Sequence, residues 1–261
     1  MLLPFDMNLN VEKFGRALVF AAHPDDETIA CGGLLQRAEA SLVVFAVDGA
    51  PPHYGFEKQF GSLQKYSEAR FVEASRAQSF VPNCSMRRLA RHDGSWFLDQ
   101  HLFQELPQAF ASLLPIAQEF SPDLLVSHAF EGGHIDHDAC HVLAKRTARV
   151  LNLQSLEFPL YWRSEDGRDV FQQFREDSEA DFLLQLSQEE SRVKRRMLAE
   201  YRSQKGLTSV FRVDAERFRR VNCSDHPKSG WPEYPFENRR GPLKAELFLR
   251  KIAEFDDAGC G

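Results

Sequence analysis

No stretch of this 261-residue sequence approaches the roughly 20 consecutive apolar residues of a membrane-spanning helix, so no integral membrane segment is expected. Cysteine is sparse. Cys31, Cys84, Cys140, Cys223 and Cys260 are odd in number and form no C-x-x-C pair, which excludes a disulfide framework and fits reduced thiols in a cytoplasmic protein. The opening Met1–Val11 has neither the basic start nor the long apolar run of a secretory leader, which supports the same expectation. Positive charge is not in surplus either: 32 Lys and Arg face 38 Asp and Glu, a net charge of -6. Apart from short clusters such as Lys194-Arg195-Arg196 and Arg239-Arg240, there is no basic stripe to displace phosphate counterions, so nucleic acid is not expected as a partner. Internal repeats and low-complexity tracts are absent.

What is present is an alternation of short apolar runs with longer helical patterns. Ala17–Ala22, Leu42–Val47 and Leu124–Ser127 read as strands, and Thr28–Ala40, Ser67–Ser79, Leu102–Phe120 and His137–Leu151 as helices, with Pro107 and Pro115 bending or breaking the third. Strands that are apolar throughout, rather than alternating, suit a sheet buried on both faces. The expectation is therefore an α/β fold: a Rossmann-like, mostly parallel sheet with helices on both faces and its site at the carboxyl ends of the strands. No linker divides the chain, so residues 1–261 read as one domain. Residues 157–261 form a less regular extension that shapes the site, with strands at Glu157–Trp162 and Ser209–Val213 and a helix at Gln188–Arg202.

Two loops carry the chemistry. The first apolar run feeds directly into His23-Pro24-Asp25-Asp26-Glu27, one imidazole and three carboxylates with a proline limiting the loop's freedom. Gly32-Gly33 beyond it would let the following helix pack closely against the sheet. The third apolar run feeds into Ser127–His141, which holds His128, His134, His137 and His141. If the two strands are parallel neighbours, both loops open at the same edge and supply ligands suited to zinc. Catalytic zinc takes three protein ligands and keeps one position open, and His23, Asp26 and His137 meet that need. The rival pair, His137 and His141 at i, i+4, uses only one loop. A nucleotide site fits less well, because Cys31-Gly32-Gly33 is no G-x-G-x-x-G and the carboxylates would repel a pyrophosphate. Asp48, ending the second run, either touches substrate or makes a turn. Arg70 and Glu73 either orient a substrate or form a structural helix pair, with the structural reading preferred; His92-Asp93-Gly94 reads as a turn, and Trp96, Tyr161 and Trp162 as packing residues with the option of stacking on a sugar.

Ala22–Glu27 (AHPDDE) followed by His134-Ile135-Asp136-His137 resembles the PIG-L (LmbE-like) family of zinc-dependent de-N-acetylases, with weaker similarity at Val47–Gly49, Arg70–Ala74, Ser121–Asp123 and Lys194–Gln204. The resemblance implies His23, Asp26 and His137 as metal ligands, Asp25 as general base, and His134 facing the reacting carbonyl and oriented by Asp136. It implies Zn2+ as the metal, with Fe2+ or another divalent ion suited to the same ligands. The substrate would be a small N-acetylated amino-sugar conjugate, and a homo-oligomer is compatible with it. Isoleucine replaces the family's usual proline at Ile135, and Gly132 stands where some relatives carry a tyrosine. The alternatives are a zinc hydrolase of another amide or ester and a non-catalytic sugar-binding relative.

Overall fold

The computed structural model describes residues 14–52, 55–176, 178, 181–221, 233–235 and 243–257. Cys223, Cys260, the Arg239-Arg240 cluster and the Met1–Val11 segment lie outside them.

The order of elements is β1 (Phe14–Ala21), α1 (Asp26–Arg37), β2 (Ala38–Phe45), α2 (Phe56–Phe60), α3 (Leu63–Gln78), β3 (Cys84–Arg88), α4 (Leu106–Phe120), β4 (Leu124–His128) and α5 (Ile135–Leu151). It continues with β5 (Gln154–Phe158), β6 (Tyr161–Arg163), β7 (Asp169–Phe171), β8 (Asp181–Gln185), α6 (Gln188–Glu200), α7 (Lys205–Thr208), β9 (Ala215–Arg220), β10 (Glu233–Tyr234), β11 (Leu243–Lys244) and α8 (Ala245–Asp257). Seven strands form one sheet in the order β3-β2-β1-β4-β5-β9-β8. The first five are parallel, and β9 and β8 add antiparallel strands at one edge.

The apolar runs are buried on both faces, as their composition requires. Leu18, Phe20, Leu42, Val44 and Leu125 point to one layer, closed by α4, α5 and α8. Ala17, Val19, Val43, Phe45 and Val126 point to the other, closed by α1, α3 and α6. Alternate residues of one strand thus enter opposite cores.

β1 and β4 are parallel neighbours in register, Ala17 opposite Leu124 and Phe20 opposite Ser127. Because β2 lies on one side of β1 and β4 on the other, the connections leave in opposite directions there, the switch point at which α/β sheets bind ligands.

Several boundaries differ from the sequence reading. α1 ends at Arg37, and Ala38 already belongs to β2. Pro107 sits in the first turn of α4, where no backbone donor is lost, whereas Pro115 lies within it. Glu157–Trp162 is not one strand: β5 ends at Phe158 and Tyr161 begins a separate hairpin with β7. Ser209–Val213 is not a strand; the chain enters the sheet only at Ala215. Gly33 does allow close packing, but against the β8–α6 segment rather than the sheet, since a β-carbon there would lie 2.2 Å from Leu186 Cδ2.

Candidate metal centre

The β1–α1 turn is tightly held. Asp25 has φ 125°, a left-handed conformation that costs a non-glycine residue on the order of 1–3 kcal/mol. Buried charge-assisted hydrogen bonds offset that cost. Glu27 Oε2 accepts from the Asp25 backbone N–H at 3.0 Å, and Glu27 Oε1 is itself held by Gln78 and the Tyr201 hydroxyl. Arg70 donates to the Pro24 carbonyl at 2.6 Å and the Gly49 carbonyl at 2.7 Å, and faces the Asp25 carboxylate at 3.2 Å. Each charged bond contributes about 1.5–3 kcal/mol, enough to keep Asp25 in place. Arg70 and Glu73 do not pair: Glu73 accepts from the Ser203 backbone and hydroxyl, whereas Arg70 holds the turn and also lines the cavity over it.

The second loop meets the first across the β1–β4 boundary. Asp26 Oδ2 lies 3.3 Å from His23 Nδ1, 3.4 Å from His137 Nε2 and 3.4 Å from His128 Nε2. His23, Asp26 and His137 are all buried. Yet His23 Nε2 and both ring nitrogens of His137 make no hydrogen bond. Orphaned imidazole nitrogens around a carboxylate are costly unless a cation satisfies them. Ligands at about 2.0–2.1 Å from a tetrahedral zinc stand some 3.3–3.4 Å apart, the spacing from Asp26 Oδ2 to His23 Nδ1 and to His137 Nε2. A His/Asp cluster of this kind fits a divalent metal.

Among the described residues, three groupings have ligand atoms within 4.8 Å of one another: His23, His134 and His137; Asp26, His128 and His137; and His23, Asp99, His134 and Asp136; the expected set of His23, Asp26 and His137 is spread over them rather than forming one of its own. His128 is the weaker ligand, because its Nε2 lone pair accepts from the Ala22 N–H at 3.0 Å. Its ring stacks on His137 at 4.1 Å and steadies it. His141 belongs to none of these groupings; its Nδ1 faces the His128 carbonyl at 3.1 Å and Glu157 at 3.2 Å.

Electrostatics separate the remaining groups. Burial pushes the Asp25 carboxyl up to about 8, with Arg70 opposing the shift and Asp26 and Glu27 adding to it. Burial pushes His134 well below its ordinary value and His137 down to about 3. For His23 burial is outweighed by Asp99, Asp136 and Asp26, which raise it well above its ordinary value. His134 caps α5, its Nδ1 accepting the Asp136 N–H at 3.2 Å. A neutral His134 with Nδ1 so used carries its proton on Nε2. The Asp136 carboxylate accepts from the Gln100 and Leu102 N–H groups and stands 3.6 Å from His23 Nε2.

Sequence reasoning missed Asp99. It is 2% exposed, its Oδ2 lies 3.4 Å from His23 Nε2, and burial pushes it up to about 7. Asp48 positions it by accepting the Asp99 N–H at 2.9 Å, so Asp48 acts as a loop clamp beside the site. Asp93 sits in an exposed turn, bound to Ser95. Trp96 packs on Arg88, and Trp162 lies under Arg175. Tyr161 alone of the three aromatics considered lines the cavity over the cluster. That cavity of about 490 Å3 also takes in His23, Asp25, Asp26, Asp99 and His134.

The sequence profile of the family described as PIG-L: GlcNAc-PI de-N-acetylase matches residues 18–148, just over half of the chain. No curated protein sequence matches. Among solved structures, the zinc-inhibited form of a teicoplanin deacetylase shares 18% identity with a TM-score of 0.57, over 79% of this chain and 99% of the other. N,N'-diacetylchitobiose deacetylase from Pyrococcus horikoshii shares 13% identity with a TM-score of 0.56, over 84% and 88%. The 4-carboxy-2-hydroxymuconate hydratase GalB of Pseudomonas putida shares 17% with a TM-score of 0.51, over 83% and 99%. At such identities these likenesses establish the fold, and the hydratase shows that the fold alone does not choose a reaction.

Proposed function

The chain belongs to the PIG-L family, and from that premise we propose that it is a metal-dependent hydrolase that removes the acetyl group from an N-acetylglucosamine-type conjugate. The observation that carries the proposal is the juxtaposition of Asp25 with the His23–Asp26–His137 cluster: a carboxyl suited to proton transfer beside ligands suited to a metal. His23, Asp26 and His137 would hold the ion, Zn2+ by preference and Fe2+ as the alternative. Once bound, it would supply Lewis acidity to the amide carbonyl and make water more acidic.

The chain's own groups account for the rest. Asp25 accepts a proton from the attacking water as the new carbon–oxygen bond forms. His134 Nε2–H donates to the oxygen that gathers negative charge. Asp136, in the helix turn next to His134, ties that turn to the Gln100–Leu102 segment, and Asp99 and Asp136 both face His23. Asp25, protonated in the first step, hands that proton to nitrogen as the carbon–nitrogen bond breaks. Acetate and a free amine leave.

Residues 1–261 are proposed to act as one domain, with the region beyond residue 157 walling the cavity through Tyr161, Phe171 and Phe211. The free thiols of Cys31, Cys84 and Cys140 support a cytoplasmic location. Among the described residues, no helix is long and apolar enough to cross a membrane. The test is metal content measured alongside acetate release from a panel of N-acetylglucosamine derivatives. About one ion per chain with acetate release supports the reading; a folded protein that takes up no ion when supplied with Zn2+ or Fe2+ overturns it.

A further inference from the structure

The cavity has two unlike halves. Its floor is the charged cluster of His23, Asp25, Asp26, Asp99 and His134, whereas its outer wall is built from Phe56, Tyr66, Tyr161, Phe171, Val210 and Phe211. The aromatic rings of that wall are arranged in pairs. Phe56 and Tyr66 stack at 4.2 Å, and Phe171 meets Phe211 edge-on at 5.4 Å. Tyr161 stands between wall and floor, its ring 5.0 Å from that of His137.

The Phe171–Phe211 side is pinned by the residues next to the two rings. Gln172 Oε1 accepts the Arg212 N–H at 2.6 Å, and the Gln172 N–H donates to the Leu160 carbonyl at 2.9 Å. Two polar groups on the wall bond to neighbours. Asp169 accepts from Arg163 at 2.8 Å, and Gln204 Nε2 donates to the Tyr66 hydroxyl at 2.5 Å. A second sugar could stack a C–H face on these rings, but many of its hydroxyls would then face carbon, which is unfavourable. A flat apolar ring would lose nothing and gain contact with ring faces and edges. The volume, about 490 Å3, falls in the range that holds a drug-sized molecule, more than one monosaccharide requires.

We propose that the substrate carries an aromatic aglycone on C1 of its acetamido sugar, the sugar lying over the charged floor and the aromatic ring against Phe171 and Phe211. This rests on the deacetylase reading. The aglycone is not chemically changed; it supplies binding that holds the acetamide over the reacting groups.

The test compares phenyl N-acetylglucosaminides of both anomers with free N-acetylglucosamine and N,N'-diacetylchitobiose, using the metal-replete enzyme. One phenyl glycoside is expected to exceed both other substrates in kcat/KM by about tenfold or more. Phe211→Ala and Phe171→Ala should each shrink that advantage severalfold, chiefly through KM. Chitobiose matching or exceeding the phenyl glycosides, or variants that leave the ratio unchanged, would overturn the inference while leaving the deacetylase standing. If no substrate releases acetate, calorimetric titration of the same three ligands decides. A phenyl preference in binding then keeps the aromatic subsite and removes the reaction; no preference removes the subsite as well.

Discussion

Asp26 Oδ2 stands 3.4 Å from Nε2 of His137, an acid from the turn after the first strand facing an imidazole from the first turn of the helix after the fourth. Burial opposes charge on Asp26, but His137, His128 and His23 together hold its carboxyl well below the usual range. A carboxylate kept anionic among buried imidazoles is what a dication needs. Asp26→Asn keeps the shape and removes that charge. It is expected to lower metal affinity by at least about tenfold, read by equilibrium dialysis with metal analysis. Affinity equal to wild type would remove Asp26 from the ligand set.

Asp25→Asn separates metal binding from proton transfer. The variant should retain about one ion per chain and lose about 10²–10⁴-fold in kcat, since the amide cannot accept the water's proton. Joint loss of metal and activity would instead make Asp25 a ligand or a purely structural residue.

How much of this was legible from the sequence depended on local pattern. β1 and β4 were visible because runs such as Ala17–Ala22 are apolar without interruption, and parallel pairing of the two brought the loops together. β9 was hidden by its charges: in Ala215–Arg220 only Ala215, Glu216 and Phe218 are buried, and Glu216 is there because Lys194 neutralises it. The Val210 and Phe211 side chains that suggested a strand line the cavity rim instead. α8 buries Phe248, Ile252 and Phe255 at helical spacing, but it follows the Pro- and Trp-bearing stretch Asp225–Pro242, most of which lies outside the described residues. Asp99 belongs to no motif. A lone acid after Trp96-Phe97-Leu98 gains meaning only when Asp48 and His23 are folded against it.

Lys194 and Glu216 form a fully buried ion pair at 2.7 Å, and Glu216 also accepts from the Gly33 and Leu34 N–H groups of α1. Lys194→Met strands a buried carboxylate and should cost about 3–5 kcal/mol in denaturant unfolding, whereas Lys194→Met with Glu216→Leu should recover part of it. A neutral single variant would contradict the pairing.

The Glu190 carboxylate receives two hydrogen bonds from Arg37, at 2.6 and 2.9 Å, and these hold it down to about 2 against partial burial. A depressed carboxyl stabilises the fold above the ordinary Glu value of about 4.3, and that contribution fades as pH falls toward 2. Wild type should therefore exceed Glu190→Gln in unfolding midpoint at pH 6, with the gap narrowing below pH 4. A gap that is constant across this range would show that the ion pair adds nothing to the fold.

Product balance from an acetamido glycoside, taken before and after chelation, separates metal-dependent deacetylation from any other reaction of this site. Equimolar acetate and free amine are expected, lost with a chelator and restored by adding back Zn2+ or Fe2+ alone. Turnover that survives complete metal removal, or a product that gains water while its acetamide stays intact, would contradict it.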